Sequence, residues 1–425
     1  MKVHFIGIGG IGISALAQYY LSQGHAVTGF DLARSEITDL LKKKGAVFTE
    51  KIPKETSLIV HTSAFPKNSP VLSKAKGEGI EVKSYPEALG DLSKNYFCLA
   101  VSGTHGKSTT TSMLALILEK SGLDPTVIVG AKLKEFKNSN FRLGKSKYLV
   151  MEADEWNRSF LNYWPNLAVI TNIESEHMDT YKDLEDILQT YQAFAGKISS
   201  DGVLVLNGDD KNASSIKFPN SVAYSLEQPE AKKLETSLKV PGKHNVSNAL
   251  AALTAARQIG IPDNISFESL AAFKGAWRRF DIKKTALNKK SFTLISDYGH
   301  HPTEIEQTLL AAREKYPKKK IFCIFQPHQH QRTYYLFKDF VRVFSEADID
   351  QVLITDIYDV SGRESKEIKR KVNSKKLVRH IKKENVAYLD KKNLKAYLKK
   401  NLKGGEVALI MGAGDIYESA VDLAK

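Results

Sequence analysis

Short apolar runs that stop at glycine or a polar residue recur along the whole chain, each followed by a stretch of helical length. KVHFIGIGG, HAVTGFD, SLIVHTSA and IEVKSYPEAL come first; FCLAVSGTHGKS, KYLVMEADE, LAVITNIESEH and GVLVLNGDD are next; SFTLISDYGHHP, KIFCIFQPH, QVLITDIYD and EVALIMGAGD close the series. A strand that leads into a helix rejoins its sheet in parallel through a crossover, so the alternation predicts α/β architecture with mostly parallel sheets. The series restarts twice, which divides the 425 residues into blocks at 1–95, 96–283 and 284–425. That length is too great for one ordinary domain and comfortable for three. There is no short-period repeat and no low-complexity segment.

Composition removes several classes. With 42% hydrophobic and 26% charged residues the chain reads as globular and soluble rather than disordered. No apolar run approaches the roughly 20 residues that span a bilayer, so no membrane insertion is expected. The opening MKVHFIGIGGIG lacks the features of a signal peptide, and a cytoplasmic location is expected. Cys98 and Cys323 both lie in apolar runs and read as buried free thiols. The net charge of +14 raises the question of nucleic acid. Residues 366–403 hold fifteen Lys/Arg against three Asp/Glu, so nearly all the excess sits in one segment. With only Tyr388 and Tyr397 for base stacking there, a solvated basic face is favoured over an anionic partner, and no nucleic acid is expected.

Five groups of residues carry chemistry. Gly7, Gly9 and Gly12 form GxGxxG between a strand and a helix, with Asp31 nineteen positions on. Such a loop lets backbone approach a pyrophosphate at a helix N-terminus, although tight packing alone can explain it. SGTHGKSTTTS places Gly106, Lys107 and Ser108 between strand and helix, but Val101 stands where the pattern GxxxxGK[ST] has its first glycine. Backbone N–H groups from Gly103 to Lys107 would wrap phosphate oxygens, Lys107 would add charge and Ser108 would meet Mg²⁺, which points to a nucleoside triphosphate. Glu152 and His177 come after two further strands and, with Ser108, make a candidate Mg²⁺ set; a surface charge is the bland alternative for each. His244 and Asn248 share a helix face at i, i+4, and Arg278 and Arg279 stand in a turn near the second boundary. Asp297, Tyr298, His300, His301, His328, His330 and Arg332 cluster after two strands of the last block. Zinc is disfavoured there, and a carboxylate or developing anion suits arginine and histidine better.

Taken together these segments resemble the Mur ligase family, and within it the branch that adds alanine to UDP-N-acetylmuramate. GIGGIG, GTHGKSTTT, EADE, TNIESEHMDTY, PGKHNVSNALAA, RRFD, DYGHHPTE and FQPHQHQRT occur in family order over essentially the whole chain. The family's ATP loop is short, so the absent early glycine is normal for it. The resemblance implies an N-terminal Rossmann-like domain for the UDP-sugar, a central P-loop ATPase-type domain and a C-terminal Rossmann-like domain. It implies ATP and Mg²⁺, with Gly103, Thr104, His105, Gly106, Lys107, Ser108 and Thr109 on the phosphates and Ser108, Glu152 and His177 on the metal. His244 and Asn248 would lie near adenine, Arg279 near the phosphates, and Asp297 near the nucleotide. Gly9, Gly10, Ile11, Gly12, Asp31 and Ser63 would hold the UDP-sugar. Tyr298, His300, His328 and Arg332 would surround the amino acid, with Lys107, His177, His300, His328 and Arg332 serving catalysis. The implied reaction activates the lactyl carboxylate as an acyl phosphate, which L-alanine then captures. A ligase that recycles a murein tripeptide is the nearest alternative; a folylpolyglutamate synthase and a nonenzymatic nucleotide-binding regulator are further ones. A monomer or weak homodimer is expected.

The chain departs from the family pattern in places. Gln192 stands at the spacing where other branches carry a carbamylated lysine, which agrees with the alanine-adding branch. WNRSF puts Asn157 where an aspartate is expected, residues 210–241 make a shorter stretch than usual, and the segment after TDIYDVSGRES is unusually rich in lysine.

Overall fold

The computed structural model describes residues 1–66, 68–360, 364 and 366–423; positions 361–363 and 365 of TDIYDVSGRES lie outside the described residues. Each of the apolar runs named above forms a strand, and the strands assemble into three sheets. Edge strands such as Val47–Phe48, Ser221–Tyr224 and Val386–Tyr388 complete them. These are short or half-exposed, and so carry little of the apolar signal that marks a central strand.

The first sheet is wholly parallel, in the order Val47–Phe48, Ala26–Phe30, Lys2–Ile6, Leu58–His61, Glu81–Ser84. The chain winds outward from Lys2–Ile6 in both directions. The crevice between Lys2–Ile6 and Leu58–His61 is therefore the switch point at which α/β sheets receive ligands. The second sheet runs Ser221–Tyr224, Val203–Asn207, Leu167–Ile170, Phe97–Ser102, Tyr148–Glu152, Thr126–Leu133, Ser139–Arg142, parallel except for its last pair. Its switch point lies between Phe97–Ser102 and Leu167–Ile170. The third runs Asp281–Leu287, Lys290–Asp297, Val407–Met411, Ile321–Phe325, Gln351–Ile354, Val386–Tyr388, antiparallel only at the first pair.

Contacts divide the chain into two compact units. The first holds the first two sheets: Met1–Ser175, Asp183–Ser237 and Ser247–Phe273. Helix Ile11–Ser22 lies against strands Thr126–Leu133 and Ser139–Arg142 of the second sheet. The joint is polar: Gln18 Nε2 donates to Asn140 Oδ1 at 2.8 Å, Ser139 Oγ donates to Gln18 Oε1 at 3.0 Å, and Asn140 Nδ2 reaches Ser14 Oγ at 3.0 Å. All four residues are buried. Buried amides with their partners in place fix one register, because any slip would strand a polar group without water. Helix Tyr85–Ser93, closed by a Ser84–Glu87 capping box, packs on the 3₁₀ segment Trp156–Asn162.

The second unit comprises Glu176–Lys182, Leu238–Val246 and Lys274–Lys425. Its sheet is covered on both faces. Ile295, Phe325 and Leu409 meet Phe340, Phe344 and Leu377 on one side; Leu294, Ile324 and Ile410 meet Leu398 and Ile416 on the other. Cys98 and Cys323 are buried free thiols, one in each unit.

Gly90 gives a test of the joint between the first two sheets. A Cβ there would stand 2.3 Å from the carbonyl oxygen of Asn162. Gly90→Ala should therefore destabilise the protein by about 1–3 kcal/mol, although alanine is the better helix former by roughly 1 kcal/mol. Urea denaturation of the two proteins checks this, and a more stable variant would show that the helix is not seated on that carbonyl.

Candidate active site

The turn after Phe97–Ser102 is built by two glycines. Gly103 (φ 136°) and Gly106 (φ 81°) occupy conformations that disfavour side chains. A Cβ on Gly103 would fall 2.0 Å from Thr171 Oγ1, and one on Gly106 2.2 Å from Asn248 Oδ1. Thr104 N donates to the Asn172 carbonyl at 2.9 Å, His105 N to Asn172 Oδ1 at 2.8 Å, and Glu174 N to Thr104 Oγ1 at 2.8 Å. The loop is thus held from the neighbouring strand end. Helix Lys107–Lys120 begins with Gly106 as its N-cap and no side chain accepting its first N–H groups. Those donors and the helix dipole favour an anion.

Lys107 is half-buried in this loop. Its Nζ donates to the Gly103 carbonyl at 2.7 Å and to Glu155 at 2.9 and 3.1 Å. Burial alone would lower its pKa, but Glu155, Asp154 and Glu152 together hold it above the ordinary lysine value. Ser108 Oγ donates to Glu152 Oε2 at 2.8 Å, and the Gly130 N–H reaches the same oxygen at 2.8 Å. Thr109 is buried on the inner face of the helix, and Thr110 Oγ1 donates to Asn248 at 3.3 Å. Asn248, expected near adenine, is thus in direct contact with the loop itself.

The glycine loop of the first sheet is shaped by Asp31. Gly7 is left-handed at φ 77°, and Asp31 accepts from Gly9 N at 2.8 Å and Ala33 N at 3.1 Å, which occupies both carboxylate oxygens with backbone. Helix Ile11–Ser22 starts at Gly10 without a side-chain cap. A cleft of about 220 Å³ opens beside it. Gly10, Ile11 and Gly12 line one side with Thr62 and Ser63; Gly130, Glu152, Asp154 and Trp156 line the other. Tyr85 also lines it, its phenol pushed above its ordinary value by burial and by the Glu152 and Asp154 carboxylates. Glu152 is therefore shared: it faces this cleft and holds Ser108 of the phosphate-type loop.

In the second unit the residues after Lys290–Asp297 and Ile321–Phe325 come together. Asp297 is buried and accepts from Phe280 N at 2.8 Å and Gly299 N at 2.7 Å. Burial raises its pKa against the opposing pull of Arg279. His300 contacts Tyr298 and His328 edge to face, at 5.4 and 5.9 Å between centroids. Burial lowers its pKa to about 3, outweighing Glu304, so the ring is neutral at physiological pH. His301 caps helix Pro302–Lys315. Arg279 reaches Glu304 at 3.4 Å and lies over Tyr298, whereas Arg278 is buried and donates to the Gly414 carbonyl at 3.3 Å. His244 is half-buried near Arg279 and Glu304, its pKa lowered to about 4 mainly by desolvation. His328 stacks on Tyr358 at 5.4 Å.

Arg332 is the buried centre of this cluster. Its Nε donates to Glu176 at 3.0 and 3.1 Å and its Nη1 to the His328 carbonyl at 2.9 Å. Glu176 would be raised by burial, but Arg332, followed by His177, His301 and His300, holds it well below the usual carboxylate value. His177 (φ 56°) belongs to this unit and donates its N–H to Glu176 at 3.1 Å. Arg332, expected to hold a substrate carboxylate, thus spends its Nε on Glu176.

Three family models match successive parts of the chain: the Mur ligase family catalytic domain over 2–97, the Mur ligase middle domain over 101–256 and the Mur ligase glutamate ligase domain over 278–414. The UDP-N-acetylmuramate–L-alanine ligase of Clostridium botulinum is 39% identical over 98% of this chain and 96% of its own length. That of Clostridium novyi is 37% identical over 98% and 95%. The chain belongs to the Mur ligase family. Among solved structures, the UDP-N-acetylmuramate–alanine ligase of Thermotoga maritima is similar with a TM-score of 0.80 and 28% identity, covering 100% of this chain and 98% of that one. A murein peptide ligase from Psychrobacter arcticus shares the fold at a TM-score of 0.73 and 22% identity, covering 100% and 98%.

Two of the departures from the Mur ligase pattern acquire local explanations. Gln192 makes a reciprocal pair with the Lys217 backbone, accepting its N–H and donating to its carbonyl at 2.9 Å each. Asn157 and Arg158 are both left-handed, and Arg158 forks onto Asp186 at 2.7 and 2.8 Å. Tyr85, Asp154, Glu155 and Trp156 were not singled out from sequence. EADE contains two of them beside Glu152, and Tyr85 directly follows a strand, so position at a strand end was the available signal.

Removing one partner of a buried ion pair leaves the other charge unpaired at a cost of about 3–5 kcal/mol. Arg332→Ala should destabilise the Mur ligase by that amount, and Glu176→Gln with Arg332→Met should recover much of it. Because the folded pKa of Glu176 is depressed, the pair's contribution is constant above the ordinary carboxylate range. It drains away only as pH falls through the folded value. Denaturant midpoints of the three proteins between pH 3 and 8 check both statements.

Proposed function

We propose that the chain is an ATP-dependent ligase that joins L-alanine to the lactyl carboxylate of UDP-N-acetylmuramate through an acyl phosphate. The observation that carries the reading is the sharing of Glu152 between the cleft beside the glycine loop and the phosphate-type loop at Ser108. A sugar acid in that cleft and a triphosphate on that loop would have their reacting ends at one carboxylate. The near-full-length likeness to alanine-adding relatives supports the choice of substrates.

In this reading residues 1–95 hold the UDP-sugar, 96–283 the ATP and 284–425 the amino acid. The uncapped N–H groups of helix Lys107–Lys120 bind phosphate oxygens, and Lys107 leaves Glu155 to neutralise charge that repels the attacking carboxylate. The oxygen donors of Ser108 and Glu152 suit a hard cation, so these residues would hold Mg²⁺, with His177 assigned to the same set by resemblance. A bound Mg²⁺ supplies further neutralisation of phosphate charge. Neutral His300, stacked His328 and the Nη groups of Arg332 would receive the amino acid and aim its amine at the acyl carbon. The enzyme is assigned to the cytoplasm as a monomer or weak homodimer. Among the described residues no helix is long and apolar enough to cross a membrane.

Phosphate release from ATP, measured with UDP-N-acetylmuramate and a panel of L-alanine, glycine, L-serine and a tripeptide, tests the assignment. Release with L-alanine is expected, with glycine and serine close behind because a methyl group discriminates by only about 1–3 kcal/mol. Release with the tripeptide alone would identify a recycling ligase instead. Lys107→Ala should cut turnover at least about a hundredfold without changing the circular dichroism spectrum. Near-normal turnover would remove Lys107 from the phosphate site.

A further inference from the structure

The lysine-rich segment that the motifs left unexplained has a defined place. Helices Lys366–Lys371 and Ser374–Ile381 lie beside His330–Tyr335 and Phe337–Glu346 respectively, next to the edge strand Val386–Tyr388. The fold thereby sets aromatic rings from residues 334–337 among lysines from residues 371–376. Tyr334 and Tyr335 are 40% and 52% exposed, large for aromatic residues on a folded surface. Lys371 lies over the Tyr334 ring at 5.7 Å, Lys376 over Phe337 at 5.9 Å and Lys375 over Tyr388 at 4.9 Å. Lys376 Nζ donates to the Lys371 carbonyl at 3.1 Å and His380 meets Phe337 edge to face at 5.2 Å, which makes the patch continuous.

Its charge is only partly compensated: Lys371 pairs with Glu367, and the Tyr388 hydroxyl donates to Asp356 at 2.9 Å. Helix Ser374–Ile381, SKKLVRHI, contains no acidic residue. Among the described residues Lys338, Lys375, Lys376, Arg379 and Lys382 meet no carboxylate within ion-pair distance, and all five are exposed. A second copy of the chain is a poor occupant, since it carries the same net +14. Single-stranded nucleic acid needs open ring faces for stacking. Here Tyr334 and Tyr335 meet each other at 76°, and ammonium groups cover faces of Tyr334, Phe337 and Tyr388. Exposed tyrosines beside ammonium groups suit a charged interface, with tyrosine at headgroup level and lysine toward phosphate.

We propose that this aromatic and basic patch docks the protein peripherally on an anionic lipid surface. Docking is electrostatic with a shallow aromatic contribution, and inserts no helix. The same short helix then has two faces, with Arg332 buried inward and Tyr334 and Tyr335 outward.

The test is co-sedimentation of the full chain with phosphatidylcholine vesicles with or without phosphatidylglycerol as the minor component. Binding to the anionic vesicles alone is expected, and it should fall as salt shortens the Debye length. Lys375→Ala, Lys376→Ala and Arg379→Ala combined should weaken partitioning by about a hundredfold. Tyr334→Ser with Tyr335→Ser should weaken it further at high salt, where the aromatic part remains. ATP-dependent turnover of both variants in lipid-free buffer should stay at the parent value, which separates lost docking from lost folding. Equal sedimentation with both vesicle types would overturn the proposal, as would unchanged binding by the triple variant. Tighter binding of a single-stranded oligonucleotide, lost in the tyrosine variant, would overturn it in favour of nucleic acid.

Discussion

The turn between Phe97–Ser102 and Lys107–Lys120 constrains everything around it. Two glycines in positive φ sit where Thr171 on one side and Asn248 on the other leave no room for a Cβ. That closeness forces strand Leu167–Ile170 to end beside the loop and fixes the helix carrying Asn248 against it. It also leaves the first N–H groups of Lys107–Lys120 without side-chain partners. A helix end with uncapped N–H groups favours an anion.

Charge is handled by burial in pairs. Lys107 is held by Glu155 and loop carbonyls, and Arg332 by Glu176 and the His328 carbonyl. Each pair keeps a strong cation oriented in a place with little water. The neutral histidines behave in the opposite way. His300 and His244 are desolvated enough that their rings stay uncharged, so they offer lone pairs and shape rather than charge.

The polar joint between the first two sheets shows how specificity is set away from the chemistry. Gln18, Ser139, Asn140 and Ser14 satisfy one another in a buried contact. The joint keeps the glycine loop at a set distance from Glu152, which is what allows one cleft to be lined by both.

The sequence by itself determined the three-sheet α/β order, because central parallel strands must be apolar throughout and that signal survives in any context. It also located the phosphate-type loop, since only glycines fit such a turn and only a strand–helix junction gives it purpose. Ser108 was legible from the loop-to-helix turn and Glu152 from its place at a strand end. Other features were decided by tertiary structure alone, because each depends on which segments distant in sequence become neighbours. Asp31 and Asp297 spend their carboxylates on backbone N–H groups. Arg332 acquires Glu176, a partner 156 residues away, and Tyr85, directly after a strand of the first sheet, meets Glu152 of the second at the cleft. The basic segment looks poor in aromatics because its rings come from residues 334–337, which the order of the third sheet sets beside it. Local pattern records which groups a chain carries, whereas burial and partner choice arise only when the sheets are assembled.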